Sequence, residues 1–392
     1  MKYKILVQIL EKPNLVEAVQ TLDGKTFRKI IQHVGLEDSA DLVSLASTTQ
    51  LQEVFDEDLW KNLAPGEEEK FNDERFSVWL EVLMEVGSKF AAQKMAEMDE
   101  DFVSLGLSKL IFVLDNDEIA DEARRHEDED SLGIFEKILD GTLSQELNSY
   151  LIVARRNKGW DAVMSLLTAL DDLHPAVLER ILKRCYYASM DLINDNGGLM
   201  TVLSEGDMLE SDASGDREER REQEGYVAPS SAKAFLRLIE QTPLDKLLTE
   251  EPDHITKMYF RSFKGTPLKP VSTGNQELLA LLKAQGVVKD QAPKLLGSGA
   301  SGLPIRQWLR ELLVKDPAAH AQRLLELNYL ANIVLAGLSN GRARYRPVEA
   351  MDEALKICNE GLVELQKREG FNEDLSLVVL FKFGWKMYKQ KE

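Results

Sequence analysis

The sequence predicts an all-α protein, with an irregular, superhelical array of helical hairpins in the N-terminal part and a helical bundle in the C-terminal part. Apolar residues recur every three or four positions rather than in alternation, which is typical of helices that bury one face. Asp, Ser and Pro residues precede many of these segments as helix start signals. With 392 residues, 44% of them hydrophobic and 29% charged, the chain is long enough for two or three domains or for one extended array.

The N-terminal part begins with short helices. In the range 14–34 the apolar spacing predicts two helices separated by Asp23-Gly24, and Gly35 ends the second. Ser47 and Gln50 have the spacing of a capping box, in which each side chain binds the backbone N–H of the other residue. We therefore expect a further helix to start there.

Later segments repeat a pattern of two Leu-rich helices around a polar start signal, at 42–55, 95–110 and 163–182. Because the spacing between these copies is uneven, we expect irregular helical hairpins rather than a regular solenoid. Another helix is expected from Leu143 through Val153.

A change in composition divides the chain. The segment from Ser204 to Glu224 is polar and dense in charge, which favours a solvated hinge, and Pro229 then suits the first position of a new helix. The predicted domains are an N-terminal helical-repeat domain (1–114), a middle helical segment (131–203), a charged hinge or linker (204–225) and the C-terminal helical bundle (226–392).

Within the C-terminal bundle, start signals predict helices at Thr242-Pro243, Asp316-Pro317 and Arg346-Pro347. The helix from Pro317 to Leu338 is apolar on nearly all sides from Leu324 onward, which places it at the centre of the bundle. The last two helices, 348–366 and 375–388, are expected to pack around it.

Net charge, cysteine spacing and apolar run length indicate which partners and which compartment to expect. A net charge of -19 repels nucleic acid and anionic membranes, so we expect neither as a partner. Cys185 and Cys358 lack CxxC spacing, which is typical of a reducing, cytoplasmic compartment. The longest uncharged apolar run, 327–341, is too short and too polar to cross a bilayer, so no membrane insertion is expected.

One basic cluster stands out in this acidic chain, immediately before a helix start. Its residues, as candidates for binding an anion or a partner protein, are Arg342, Arg344, Tyr345 and Arg346. Guanidinium groups and free helix amides both favour phosphate or carboxylate. The alternative is that these arginines pair with carboxylates of the folded chain.

A second group of candidates could form a polar pocket in the C-terminal core. Its members are Glu326, Asn328, Asn332, Glu349 and Glu353. Buried carboxylates can act as acid and base if their environments separate their pKa values. The alternative is a structural hydrogen-bond network.

Other motifs favour structural interpretations. The loop Gly297–Gly302 satisfies GxGxxG but lacks the preceding strand that dinucleotide binding requires, so a flexible loop is favoured. The acidic run 115–130 lacks the turning Gly of a calcium loop and is interpreted as a solvated connection. The histidines show no paired ligand spacing. We therefore expect no metal site, no cofactor and no recognisable catalytic residue.

Several segments of the sequence, taken together, resemble one protein family. The stretch 216–236 joins a charged segment to an apolar-faced helix. The supporting segments are Gly35–Asp38, Gln50-Leu51, Asp58–Trp60, Asn157–Ala162, Tyr329–Asn332 and Gly384-Trp385. Together they resemble a family of uncharacterised bacterial proteins, known only as a domain of unknown function, over most of the chain. The chain departs from that pattern at Ala228, where a capping Thr is usual, so the helix start loses a side-chain cap unless Ser230 replaces it.

A weaker likeness concerns the first helical copies. Up to about Leu114 they are similar to the cytosolic N-terminal helical domain of a class of magnesium transporters, through Leu and Asp spacing. Neither resemblance implies an activity. The leading hypothesis is therefore a non-catalytic cytosolic interaction or scaffold protein that binds another protein. A small-ligand or divalent-cation sensor and an enzyme of unrecognised type are the alternatives.

Overall fold

The computed structural model describes residues 7, 9, 15–61, 67–116, 142–194, 204–248, 252–263, 273–287, 303–339, 345–367 and 375–391. Within these residues the protein has seventeen α-helices, one short 3-10 helix and two small antiparallel sheets. The predicted all-α class is therefore confirmed.

The chain divides into two compact units. Unit 1 comprises Met1–Lys61, Lys70–Arg217 and Lys269–Asp290, and unit 2 comprises Asn62–Glu69, Glu218–Leu268 and Gln291–Glu392. The predicted domain boundaries stay predictions.

Unit 1 contains short helices and both sheets. Its described elements are α1 (Leu15–Gln20), α2 (Gly24–Val34), α3 (Ala40–Val43), α4 (Thr48–Asp58), β1 (Trp60–Lys61), β2 (Lys70–Phe71), α5 (Asp73–Val86), α6 (Ser88–Ala96), α7 (Glu100–Ser108), β3 (Ile111–Asp115), β4 (Ser144–Leu147), β5 (Tyr150–Ala154), α8 (Trp160–Leu173), α9 (Pro175–Asn194), most of α10 (Glu205–Gln223) and α13 (Thr273–Ala284).

The N-terminal helix signals are confirmed. Gly35 ends α2 with a φ of 108°, which favours glycine. Ser47 and Gln50 form the predicted capping box at the start of α4. The Gln50 Nε2 also donates to the carbonyls of Val19 and Leu22, at 2.7 and 2.8 Å, so this side chain joins α4 to the end of α1.

The helix predicted from Leu143 through Val153 is wrong, because this segment forms β4 and β5. The three strands lie in the order β3-β5-β4, and Val113 pairs with Ile152 in an antiparallel ladder. Asn148 makes the turn with a φ of 55°. A short apolar run fits a buried strand as well as a buried helix, and periodicity does not separate them.

The charged segment expected to be a hinge is helical over most of its length, as α10. Arg217 is buried in unit 1, where its Nε donates to the Asp56 carbonyl at 2.6 Å and its guanidinium lies 4.8 Å from the Trp60 ring. These contacts satisfy a cation whose sequence context indicated solvent exposure.

Unit 2 is a helical bundle. Its described elements are the end of α10, α11 (Pro229–Gln241), a 3-10 helix (Lys246–Leu248), α12 (His254–Ser262), α14 (Pro304–Lys315), α15 (Pro317–Gly337), α16 (Pro347–Gln366) and α17 (Leu377–Lys391). Asp316 caps α15 as predicted, accepting from the amides of Ala318 and Ala319 at 3.0 Å. Helices α16 and α17 touch at Gly361 and Gly384, where an added Cβ would overlap the facing backbone. Close helix contact therefore depends on these two glycines.

At two helix starts one prediction is wrong and one is confirmed. Thr242 ends α11, and the helix expected after Pro243 is only the 3-10 turn. At the start of α11 Ala228 provides no side-chain cap, and Ser230 does not replace it. Instead the Ser230 amide donates to the Glu68 carboxylate at 2.9 Å, so the cap comes from a segment distant in sequence.

Candidate functional site

The predicted polar-core residue Glu326 is buried in unit 2, where it supports a helix end. Its carboxylate accepts the Leu377 amide at 2.7 Å and pairs with Arg323, so it caps the N-terminus of α17. Burial raises the pKa of Glu326 above its usual value, although Arg323 and the Leu377 amide oppose that rise.

The other polar-core candidates make separate contacts. Asn332 donates to the Gly225 carbonyl at 2.7 Å, at the end of α10, whereas Asn328 is exposed. Glu349 accepts the Arg346 amide at 2.9 Å, and Glu353 pairs with Lys356 at 2.9 Å. A shared role in ligand binding stays a prediction for these residues.

The predicted basic cluster is only partly described. Arg342 and Arg344 lie outside the described residues, as do the loop Gly297–Gly302 and the range 117–141, which holds most of the acidic run. Tyr345 packs partly buried against the core of unit 2, and the exposed Arg346 side chain lies 3.9 Å from the Glu349 carboxylate.

The described thiols are unsuited to nucleophilic chemistry. Cys185 and Cys358 are fully buried. Burial raises the pKa of the Cys185 thiol to about 12 and also raises the pKa of Cys358. Both thiols therefore stay protonated at neutral pH.

Among the residues with described positions, one group of carboxylates is close enough to hold a metal ion: Asp99, Asp101 and Asp216. Asp99 already caps α7, accepting from the amides of Asp101 and Phe102 at 2.9 and 3.1 Å. Asp101 also pairs with Arg184. Capping and ion pairing account for the positions of Asp99 and Asp101.

A basic cavity of about 520 Å³ opens in unit 1, and the sequence did not single it out. Its walls come from β1, from the start of α5 and from the loop before α8. It is lined by Lys61, Asn72, Glu74, Arg75, Ser77, Val78, Arg156 and Lys158. Four of these eight side chains are cationic and one is anionic, in a chain whose net charge is -19. The lining of this cavity is therefore positively charged, although the chain as a whole is negatively charged.

Two of the four cations are held in place by carboxylates. Arg75 lies 2.7 Å from Asp58, which also accepts from the Trp79 indole at 2.8 Å, and Arg156 pairs with Asp73. Lys61 and Lys158 are exposed and form no ion pair with any residue whose position the structure describes. These lysines can therefore approach a ligand without breaking an existing ion pair.

Ser77 is one of two buried polar residues that line this cavity, the other being Asn72. The Ser77 side chain is 3% exposed, and its Oγ has no hydrogen-bond partner among the described atoms. Buried polar groups usually have a partner, so an unpartnered one needs an explanation. The hydroxyl lies against Gly159, where an added Cβ would overlap it and where the φ of 83° also favours glycine.

Gly159 precedes the first turn of α8, and no side chain of a described residue caps this helix. Uncapped N-terminal amides and the helix dipole both favour a negative group nearby. Asp161, in that first turn, supplies such a group, and neither it nor its neighbours Trp160 and Ala162 line the basic cavity. In the basic cavity itself, Lys61, Lys158 and Ser77 form an arrangement that can bind a small anion.

Sequence reasoning missed this site for a physical reason. Its cations lie in different segments, separated by up to about a hundred positions, and none of those segments is basic enough to be noticed alone. The one available signal was the segment Asn157–Ala162, which was noted only for its resemblance to a family.

A comparison with models of protein families bears on the predicted family resemblance. Residues 3–189 match a model described as "Family of unknown function (DUF6178)". This match supports the predicted resemblance to an uncharacterised family. All residues lining the basic cavity lie inside the DUF6178 match, whereas the stretch 216–236 and the segments after it lie outside.

No curated protein and no solved structure matches the chain. The likeness to magnesium-transporter domains is therefore not shown. In the part of the chain with described coordinates, no helix combines the length and the apolar character needed to cross a bilayer.

Proposed function

We propose that this protein is a non-catalytic binding protein that takes a small anionic ligand into the basic cavity of unit 1. The observation that carries the proposal is the buried, unpartnered Ser77 hydroxyl in the wall of a cavity with four cationic side chains. Rotation of the Ser77 side chain toward a bound anion would give the hydroxyl an acceptor, and the anion would offset the excess of positive charge. This develops the small-ligand sensor predicted from the sequence.

The volume of the basic cavity and the exposure of its two lysines both suit a small ligand. The cavity volume of about 520 Å³ falls within the usual range of small-molecule sites, roughly 300–1,000 Å³. Because Lys61 and Lys158 are exposed, they would attract an anion from solution and then order around it. The role as a protein-interaction scaffold stays a prediction, and its partner is a separate question from the ligand of this cavity.

The test is thermal unfolding of the full chain with and without inorganic phosphate, sulfate and a panel of phosphorylated and carboxylated metabolites. A ligand that binds only the folded state raises the melting temperature in proportion to the logarithm of its concentration above Kd. We expect one of these anions to do so, and the double variant Lys61→Ala/Lys158→Ala to lose at least tenfold in affinity.

The matched control is Lys89→Ala/Lys183→Ala, which removes two exposed lysines of unit 1 that do not line the cavity. Since its net charge changes equally, it should keep the wild-type affinity. The proposal is wrong if no anion shifts the melting temperature, or if both double variants lose affinity equally.

A further inference from the structure

A second cavity of unit 1 adjoins the basic one and has the opposite charge. It has a volume of about 370 Å³ and is lined by Glu81, Met84, Asn157, Gly159, Trp160, Asp161, Ala162 and Ser165. Glu81 and Asp161 are exposed carboxylates, and the lining contains no lysine or arginine. Neither carboxylate forms an ion pair with another described residue. We call this the acidic cavity.

The two cavities lie side by side along α5 and the loop before α8. On α5, Ser77 lines the basic cavity and Glu81, one turn later, lines the acidic one. In the loop, Arg156 and Lys158 line the basic cavity, whereas Asn157 and Gly159 line the acidic cavity. Successive residues thus face two neighbouring cavities.

Ser77 and Gly159 form the wall between the cavities. The Ser77 oxygen is the buried, unpartnered group, and it lies directly against Gly159, which lines the acidic cavity. A side chain on Gly159 would occupy the position of that oxygen. The hydroxyl is therefore placed where the two cavities meet.

The acidic cavity has the groups that bind an organic ammonium. Glu81 and Asp161 supply opposite charge, and the Trp160 indole supplies an aromatic face, on which a cation is stabilised by the ring quadrupole. Met84 adds an apolar contact for the carbon atoms next to the nitrogen. The basic cavity cannot hold that group, because its excess charge is positive.

We propose that the two cavities form one site for a small zwitterion, an amine whose phosphate or carboxylate group enters the basic cavity and whose ammonium group enters the acidic cavity. This inference rests on the proposed function, since it adds a second half to the same site. Helical rise separates Ser77 from Glu81 by roughly 6 Å along α5. The ligand should therefore separate its two charges by a chain of about four carbon atoms.

The test uses isothermal titration calorimetry of the full chain with three probes: 4-aminobutyl phosphate, 4-hydroxybutyl phosphate and inorganic phosphate. The first two have similar length and the same anionic group, and only the first is zwitterionic. We expect the amine to bind at least tenfold more tightly than the alcohol.

Two double variants test whether the acidic cavity is responsible for the tighter binding of the amine. Glu81→Gln/Asp161→Asn should remove the advantage of the amine while leaving the affinity for the alcohol near its wild-type value. Glu85→Gln/Asp172→Asn is the matched control, because it neutralises two exposed carboxylates on the same two helices outside both cavities. It should retain the full advantage.

The outcomes separate this inference from the proposed function. If amine and alcohol bind equally and Lys61→Ala/Lys158→Ala weakens both, the zwitterion is excluded and the anion site stands. If the control removes the advantage as completely as Glu81→Gln/Asp161→Asn does, the acidic cavity is not the ammonium site. If none of the probes binds, this inference fails. The proposed function fails as well only if the larger anion panel also leaves the melting temperature unchanged.

Discussion

Two buried polar groups, an ion pair in unit 2 and a hydroxyl in unit 1, differ in the contacts that they make. In unit 2, Asp253 and Lys382 form an ion pair at 2.6 Å with both side chains at most 10% exposed, and Thr256 donates to the same carboxylate at 2.7 Å. In unit 1, the Ser77 hydroxyl is just as buried and has no partner among the described residues. A satisfied group stabilises the fold, whereas an unsatisfied one beside a cavity is available to a ligand.

The comparison also separates the sequence-based candidates from the proposed site. Glu326 caps α17, and Asn332 binds the carbonyl that follows α10, so both have structural contacts that account for their positions. Lys61 and Lys158 have no such contacts with described residues, yet they line a cavity. Removing groups of the first kind should lower stability, and removing groups of the second kind should lower affinity.

The largest effect is expected at the buried ion pair. Asp253→Ala leaves the Lys382 ammonium buried without its carboxylate, which should lower the free energy of unfolding by about 3–5 kcal/mol. Urea denaturation measures this loss, and Asp245→Ala, at an exposed aspartate, is the control. A loss no larger than that of the control would show that the pair is not a structural requirement.

The Asp253–Lys382 pair also contributes a part of the wild-type stability that is lost in acid. Burial by itself would raise the pKa of Asp253, but hydrogen bonds from Lys382 and Thr256 lower it below 3.8. A lowered folded-state pKa stabilises the protein above the unfolded value. That contribution is lost as the pH falls through the folded value. It should be missing from the acid unfolding curve of Asp253→Ala.

The next effect is expected at the wall between the cavities. Gly159→Ala adds a Cβ at positive φ and forces it against Ser77, which should cost roughly 1–3 kcal/mol. In Gly159→Ala/Ser77→Ala the overlap is removed while the backbone strain remains, so part of the loss should be recovered. A double-mutant cycle with no coupling energy would contradict the contact.

A smaller effect, on the pH dependence of stability, is expected at Glu326. Because burial raises its pKa, the folded state retains the proton to higher pH than the unfolded chain. Stability therefore falls as the pH rises from 4.5 through the raised folded value. Glu326→Gln cannot ionise, so its stability should decline less as the pH rises above 4.5. Denaturation at increasing pH, with Glu240→Gln as an exposed control, checks this, and identical slopes would contradict it.

The smallest effect is expected at Ser77. Ser77→Ala removes a buried hydroxyl that makes no hydrogen bond to described atoms, so stability should stay within about 0.5 kcal/mol of the wild type. Affinity for the anion identified by thermal unfolding should nevertheless fall several-fold. A large loss of stability would mean that the hydroxyl has a structural partner after all, and the contrast with the Asp253–Lys382 pair would disappear.

Local signals in the sequence predicted much of the helical fold. The capping box of Ser47 and Gln50, the end of α2 at Gly35 and the start of α15 at Asp316-Pro317 depend on residues within a few positions of one another. The strand β5 was missed because five apolar residues fit a strand or a helix, and only pairing with β3 decides between them.

The sequence by itself determined the helical class, many helix ends and the acidic character of this protein, because each follows from composition or from interactions within one or two turns. Only the tertiary structure decided that Arg217 is buried, that Glu68 caps α11 and that cations from β1, α5 and the loop before α8 share one cavity. These depend on contacts between distant segments. Such contacts form only when the apolar faces of the helices pack and fix which side chains meet.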